Sequence, residues 1–90
     1  MPTHRYRVTG RVQGVGFRYA TLNTARRLDI DGWVRNLPDG NVEVVARGSS
    51  EILAVLEDFL ERGPFGARVD GVKMEIPDHI DVERGFQVRY

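Results

Sequence analysis

The chain has 90 residues, 41% hydrophobic and 29% charged, with no cysteine and two histidines; that allows one folded domain over residues 1–90 with one modest core, and it excludes disulfides, thiolate metal sites and cysteine nucleophiles. Thirteen basic side chains balance thirteen acidic ones, yet Met1 to Arg27 holds six arginines and no acid. A neutral chain gains little from non-specific nucleic-acid binding, whereas a local anion site stays open.

In chain order, "RYRVTGRV" alternates Tyr6, Val8 and Val12 with Arg5, Arg7, Thr9 and Arg11, the pattern of a half-solvated strand. Phe17, Thr21, Ala25 and Leu28, supported by Leu22, then recur at helical spacing and predict a helix from about Phe17 to Leu28. Trp33–Leu37 and Val42–Arg47 read as a hairpin around the Pro38-Asp39-Gly40 turn. Ser49 or Ser50 caps a second helix whose buried face is expected at Ile52, Val55, Leu56 and Phe59, with Leu53 and Leu60 beside it, and Gly63-Pro64 ends it. Beyond it Ala67 and Val69 have one parity and Val72, Met74 and Ile76 the other, which predicts a bulge or a late strand start near Gly71. A short edge strand with Phe86, Val88 and Tyr90 alternating follows the loop "PDHIDVERG". The order βαββαβ predicts a ferredoxin-like, two-layer α+β sandwich: one mostly antiparallel sheet with both helices on one face.

No segment is apolar enough to span a bilayer, and "MPTHRYRV" lacks the hydrophobic middle of a secretory signal, so a cytoplasmic protein without membrane partners is expected. The stretch "GRVQGVGFRYA" puts its glycines where a strand pattern gives way to a helix. It is not a dinucleotide fingerprint, whose third glycine would fall at Tyr19, nor a nucleoside-triphosphate loop, since no Lys-Ser/Thr pair follows. A flexible turn entering a helix does direct successive N–H groups at one anion. Arg18 lies in the first helical turn, where the dipole disfavours a cation. On spacing alone it faces water, a ligand such as phosphate, or an internal carboxylate. Asn36, at a strand end before the turn, reads on its own first as a turn or edge hydrogen-bonding residue, and second as a side chain held toward a neighbouring loop.

"GRVQGVGFR" followed by "GWVRNLPDGNVEV", with "GPFGARVD" and the terminal "FQVRY", resembles the acylphosphatase family over nearly the whole chain. One departure is Asp29 in "LDIDGW", where a glycine is expected, and it bears on how the helix ends. The resemblance implies that the backbone of Gln13, Gly14, Val15, Gly16, Phe17 and Arg18 cradles a phosphate, that the Arg18 side chain binds its oxygens, and that Asn36 orients the attacking water. It implies hydrolysis of small acyl phosphates with no metal and no cofactor; a monomer without nucleic-acid partners is the default expectation. An acyl phosphate suits so sparse a site, because its carboxylate leaving group needs little protonation.

The competing reading is a ferredoxin-like RNA-binding or regulatory protein-binding module. An RNA-reading sheet should expose paired aromatics, and the first strand places only Tyr6, on its packing face. An accessory module of a larger carbamoyl-transfer protein is a third option, not expected for a 90-residue chain without zinc-binding segments. His4 and His79 read as surface or packing residues, Asp29 and Asp31 as solvated or capping. Glu57, Asp58 and Glu61 read as an outer helical face, and Trp33, Phe59, Phe86 and Tyr90 as packing. Tyr19 reads as structural or as a neighbour of the site.

Overall fold

In a computed structural model, residues 1–90 form seven elements: β1 (Thr3–Arg11), α1 (Phe17–Arg27), β2 (Asp31–Asn36), β3 (Val42–Arg47), α2 (Ser50–Arg62), β4 (Arg68–Glu75) and β5 (Phe86–Arg89). The sheet order is β4-β1-β3-β2-β5. The first four strands pair antiparallel, and β5 adds to the βαββαβ frame by pairing parallel with β2. Alternation in the strands turns Tyr6, Val8, Val34, Val42, Val44 and Ala46 to one face, where they join Phe17, Leu22 and Ala25 of α1 and Leu53, Leu56 and Leu60 of α2 in one core.

Two details of α2 depart from the expected pattern. Its buried stripe runs through Leu53, Leu56 and Leu60, whereas Val55 is half exposed. Ile52 and Phe59 flank the stripe as partly buried residues. Four apolar neighbours on a helix define an arc wider than the contact face, and the sheet's position decides which part of the arc is covered. The Ser49 Oγ accepts the Ile52 N–H at 3.2 Å and closes the N-terminus.

The parity change in β4 is a bulge. Thr9 pairs with Gly71 and Gly10 with Val69, leaving Asp70 as the extra residue. Ala67 and Val69 before it and Val72 after it therefore all reach the core, while Met74 and Ile76 stay largely exposed on this edge.

Asp29 takes the place of a helix-ending glycine at a strained backbone position. Its φ is 58°, left-handed, and around it the Ile30 N–H donates to the Ala25 carbonyl at 2.9 Å and the Asp29 N–H to that of Arg26 at 3.2 Å. These are the two bonds of a Schellman ending, which favours glycine at this position. Asp29→Gly is expected to raise stability by about 0.5–1 kcal/mol, read from urea unfolding midpoints, because the left-handed strain disappears.

The strand β5 is docked by side chains that reach across it. The Asp31 carboxylate accepts the Gly85 N–H at 2.7 Å and pairs with Arg47 at 2.9 Å. Those two bonds hold its carboxyl below the usual carboxylate range, the backbone donor first. The Arg26 Nε donates to the Phe86 carbonyl at 3.2 Å. Between β1 and α2, the Tyr6 hydroxyl donates to Glu57 at 2.7 Å with His4 Nδ1 3.0 Å away. Burial, then that bond, pushes the Tyr6 phenol far above its usual pKa, so Tyr6 is a neutral tie between the layers.

Candidate functional site

Hydrophobic anchors fix both ends of the glycine-rich turn. Val12, the residue after β1, lies in the core and Phe17 opens α1, each 1% exposed, with the Phe17 ring 6.2 Å from that of Phe59. Between them Gly14 and Gly16 take φ values of 74° and 78°, the left-handed region open to glycine. A Cβ at either would meet nothing within 4 Å. Backbone conformation, and not crowding, is therefore what glycine supplies here.

The turn leaves its donors free. None of the amides of Gln13 to Gly16 donates to a backbone carbonyl, and the first turn of α1 has neither a side-chain cap nor an acidic residue. Such a run of unpaired N–H groups at a helix start presents partial positive charge to an anion. Arg18, in the same turn, forms no ion pair with any carboxylate; its guanidinium instead lies 5.0 Å from the centre of the Tyr90 ring. The internal-carboxylate alternative for Arg18 is thereby removed.

Asn36 comes from the far end of β2. It lines a cavity of about 150 Å³ together with Gly14, Gly16, Phe17, Arg18, Tyr19, Val88 and Tyr90. Its side chain makes no hydrogen bond, and its Oδ1 is the protein's one buried side-chain polar atom without a partner. A buried unsatisfied acceptor costs about 1–3 kcal/mol and calls for an explanation.

What aligns the two halves of this cavity was not legible beforehand. The Gln13 side-chain amide donates to the Leu37 and Asn41 carbonyls, both at 2.8 Å. It ties the turn to the β2–β3 hairpin one residue from Asn36. The sequence pointed to the Gln13 backbone alone, and a side chain's reach between non-adjacent segments leaves no periodic signal. Tyr90 likewise reads as a packing residue by alternation, but it is fully exposed and lies over Arg18.

The remaining candidates fall outside the cavity. His4 is bound into the Tyr6–Glu57 cluster, and no three His, Asp or Glu side chains form a group with metal-binding geometry. A larger groove of about 690 Å³ crosses the helix-free sheet face along β1 and β4. Its Arg5 pairs with Glu75 at 2.7 Å and its Arg7 lies 4.0 Å from Asp39. Trp33, the single aromatic of that face, is 8% exposed beneath the Arg89 guanidinium, 3.8 Å from the ring centre. A base-stacking platform needs bare rings, and this face offers none.

One cavity of this α+β sandwich brings together the left-handed turn at Gly14 and Gly16 with its unpaired amides, the Arg18 cation without a carboxylate partner and the Asn36 Oδ1 without a protein donor, features that suit a tetrahedral oxyanion. The acylphosphatase family profile matches residues 4–88, and the chain belongs to that family. It is 56% identical over 80 residues to an acylphosphatase of Nitratidesulfovibrio vulgaris, covering 88% of this chain and 80% of the relative. Among solved structures it superposes on an acylphosphatase from Bacillus subtilis with a TM-score of 0.94 at 32% identity, covering 100% of both chains. For an acylphosphatase from Coxiella burnetii the TM-score is 0.86 at 39% identity, covering 98% of this chain and 92% of the other.

Proposed function

We propose that the chain hydrolyses small acyl phosphates by direct attack of water on phosphorus, with the phosphate held by the amides of Gln13, Gly14, Val15, Gly16, Phe17 and Arg18 and by the Arg18 side chain, and with the water oriented by Asn36. Acyl-phosphate hydrolysis is the activity of the family to which the chain belongs. The observation that carries the residue assignment is the orphaned Asn36 Oδ1 in the cavity that Gly14, Gly16, Phe17 and Arg18 also line. An attacking water donates one proton to that oxygen and so gains a fixed direction; the positioning is the catalysis.

The step balances without a further group. The water oxygen bonds to phosphorus as the bond from phosphorus to the acyl oxygen breaks; the leaving carboxylate takes the bonding pair, and the water's proton passes to a phosphate oxygen. Arg18 and the cradle meet the charge on the equatorial oxygens, which is where a loose phosphoryl transition state carries it. A phosphate monoester is a poor substrate here, because its alkoxide leaving group requires an acid and neither histidine lines the cavity.

The same reading has residues 1–90 acting as one domain, a monomer in the cytoplasm; no helix is long and apolar enough to cross a membrane, which is consistent with it. Steady release of phosphate from acetyl phosphate in excess EDTA is the expected result. A folded protein that releases none, or that needs an added divalent cation, contradicts the proposal.

A further inference from the structure

Asn36 has no side-chain partner to aim it. No donor of the protein pairs with its Oδ1, so the direction of that oxygen depends on where the backbone at the end of β2 stands. On one side that backbone is fixed by the ladder partner Val42, which is fully buried. On the other side the chain leaves the sheet at Leu37 and turns.

The facing half of the cavity is held no better by its own backbone. The ladder between β1 and β3 stops at the Val8–Val42 pair, short of the glycine turn, and Gly14 and Gly16 lie where glycine moves most freely. The two bonds from the Gln13 side chain, to the Leu37 and Asn41 carbonyls at 2.8 Å each, are the only hydrogen bonds that join residues 13–16 to residues 36–41. One planar NH2 group with two hydrogens spans both acceptors, and two carbonyl oxygens permit only that end of the amide to face them.

The hairpin does not need Gln13 in order to close. The Leu37 N–H already donates to the Asn41 carbonyl at 2.8 Å, and the Gly40 N–H to that of Leu37 at 3.2 Å. Gln13 takes the second lone pair of each oxygen. What it adds is the placement of a finished turn against the cradle, with Asn36 next to the held residue on one side and Gly14 next to Gln13 on the other.

We propose that the Gln13 side chain is a positioning residue for the hydrolysis and acts through Asn36, keeping the Oδ1 and its water in line with a phosphate seated in the cradle. This rests on the roles given above to the cradle and to Asn36. In-line attack tolerates little error, since a displacement of about 1 Å costs about 10²-fold in rate.

A double-mutant cycle on acetyl phosphate hydrolysis, with inhibition by inorganic phosphate measured beside it, tests this. Gln13→Met keeps the length of the side chain and the backbone amide but has no donor; it is expected to lower kcat about 30-fold and to leave phosphate inhibition within about threefold of the native value. In an Asn36→Ala background the same substitution is expected to cost less than about threefold, because the group it positions is gone. Gln13→Asn, whose amide stops a methylene short of the hairpin, is carried through the same cycle with the same expectations, so that poor folding of one variant does not decide the outcome. A native kcat in both Gln13 variants overturns the proposal. So does a full loss that recurs in the Asn36→Ala background, or a loss of phosphate binding as large as the loss of kcat, because Gln13 would then prop the cradle alone. Failure of the underlying reading looks different: Asn36→Ala by itself keeps the native kcat, and the positioning role falls with it.

Discussion

Arg18→Ala is expected to lower kcat/KM for acetyl phosphate by about 10³-fold and to weaken inorganic phosphate binding by at least about tenfold. Both effects follow because the guanidinium meets the phosphoryl oxygens in the bound state and more strongly as charge spreads over them in transfer. The fold should not suffer. Arg18 makes no ion pair and sits in a helical first turn without an acidic residue, where a cation costs about 0.3–1 kcal/mol. Alanine removes that cost, so the variant should be as stable as the native protein or slightly more so. Arg18→Lys restores charge without the planar pair of donors, and only part of the activity should return. Steady-state kinetics, phosphate inhibition and urea unfolding separate these outcomes. Full activity in Arg18→Ala, or a loss matched by unfolding, contradicts the role.

Asn36→Ala is expected to divide differently: kcat falls by about 10²–10³-fold while the inhibition constant of phosphate stays within a factor of about two. Asn36 acts on the water and not on the phosphate, so ground-state binding has no reason to change. The orphaned Oδ1 also gives this variant a distinctive stability. No protein donor pairs with the Oδ1, so its removal breaks no hydrogen bond within the fold and leaves only a small void. A kcat loss without a stability loss is the expected pair of results. A proportional weakening of phosphate binding would instead place Asn36 in the cradle.

Much of this was legible in the sequence because it depends on periodicity and turn chemistry. Alternation in β1 and the helical spacing of Phe17, Thr21 and Ala25 found their elements, and Pro38-Asp39-Gly40 found the hairpin turn. The parity change around Gly71 found the β4 bulge. The same local signals overextended the face of α2, since which of several apolar neighbours is covered depends on where the sheet lies. They also placed β2 two residues late, at Trp33, because Asp31 and Gly32 are poor strand formers that tertiary pairing with Arg47 and Ala46 overrides. In the cavity, the glycine turn, Arg18 and Asn36 stood out through chemistry and family resemblance. The Gln13 bridge and the Tyr90 ring over Arg18 did not, because both join residues distant in the chain.

The central claim is attack on phosphorus, and hydrolysis of acetyl phosphate in ¹⁸O-enriched water tests it most directly. Mass spectrometry of the products under single-turnover conditions should find the solvent label in inorganic phosphate and none in acetate. Label in the acetate carboxylate would mean attack on the carbonyl carbon and would contradict the roles given to the cradle, Arg18 and Asn36.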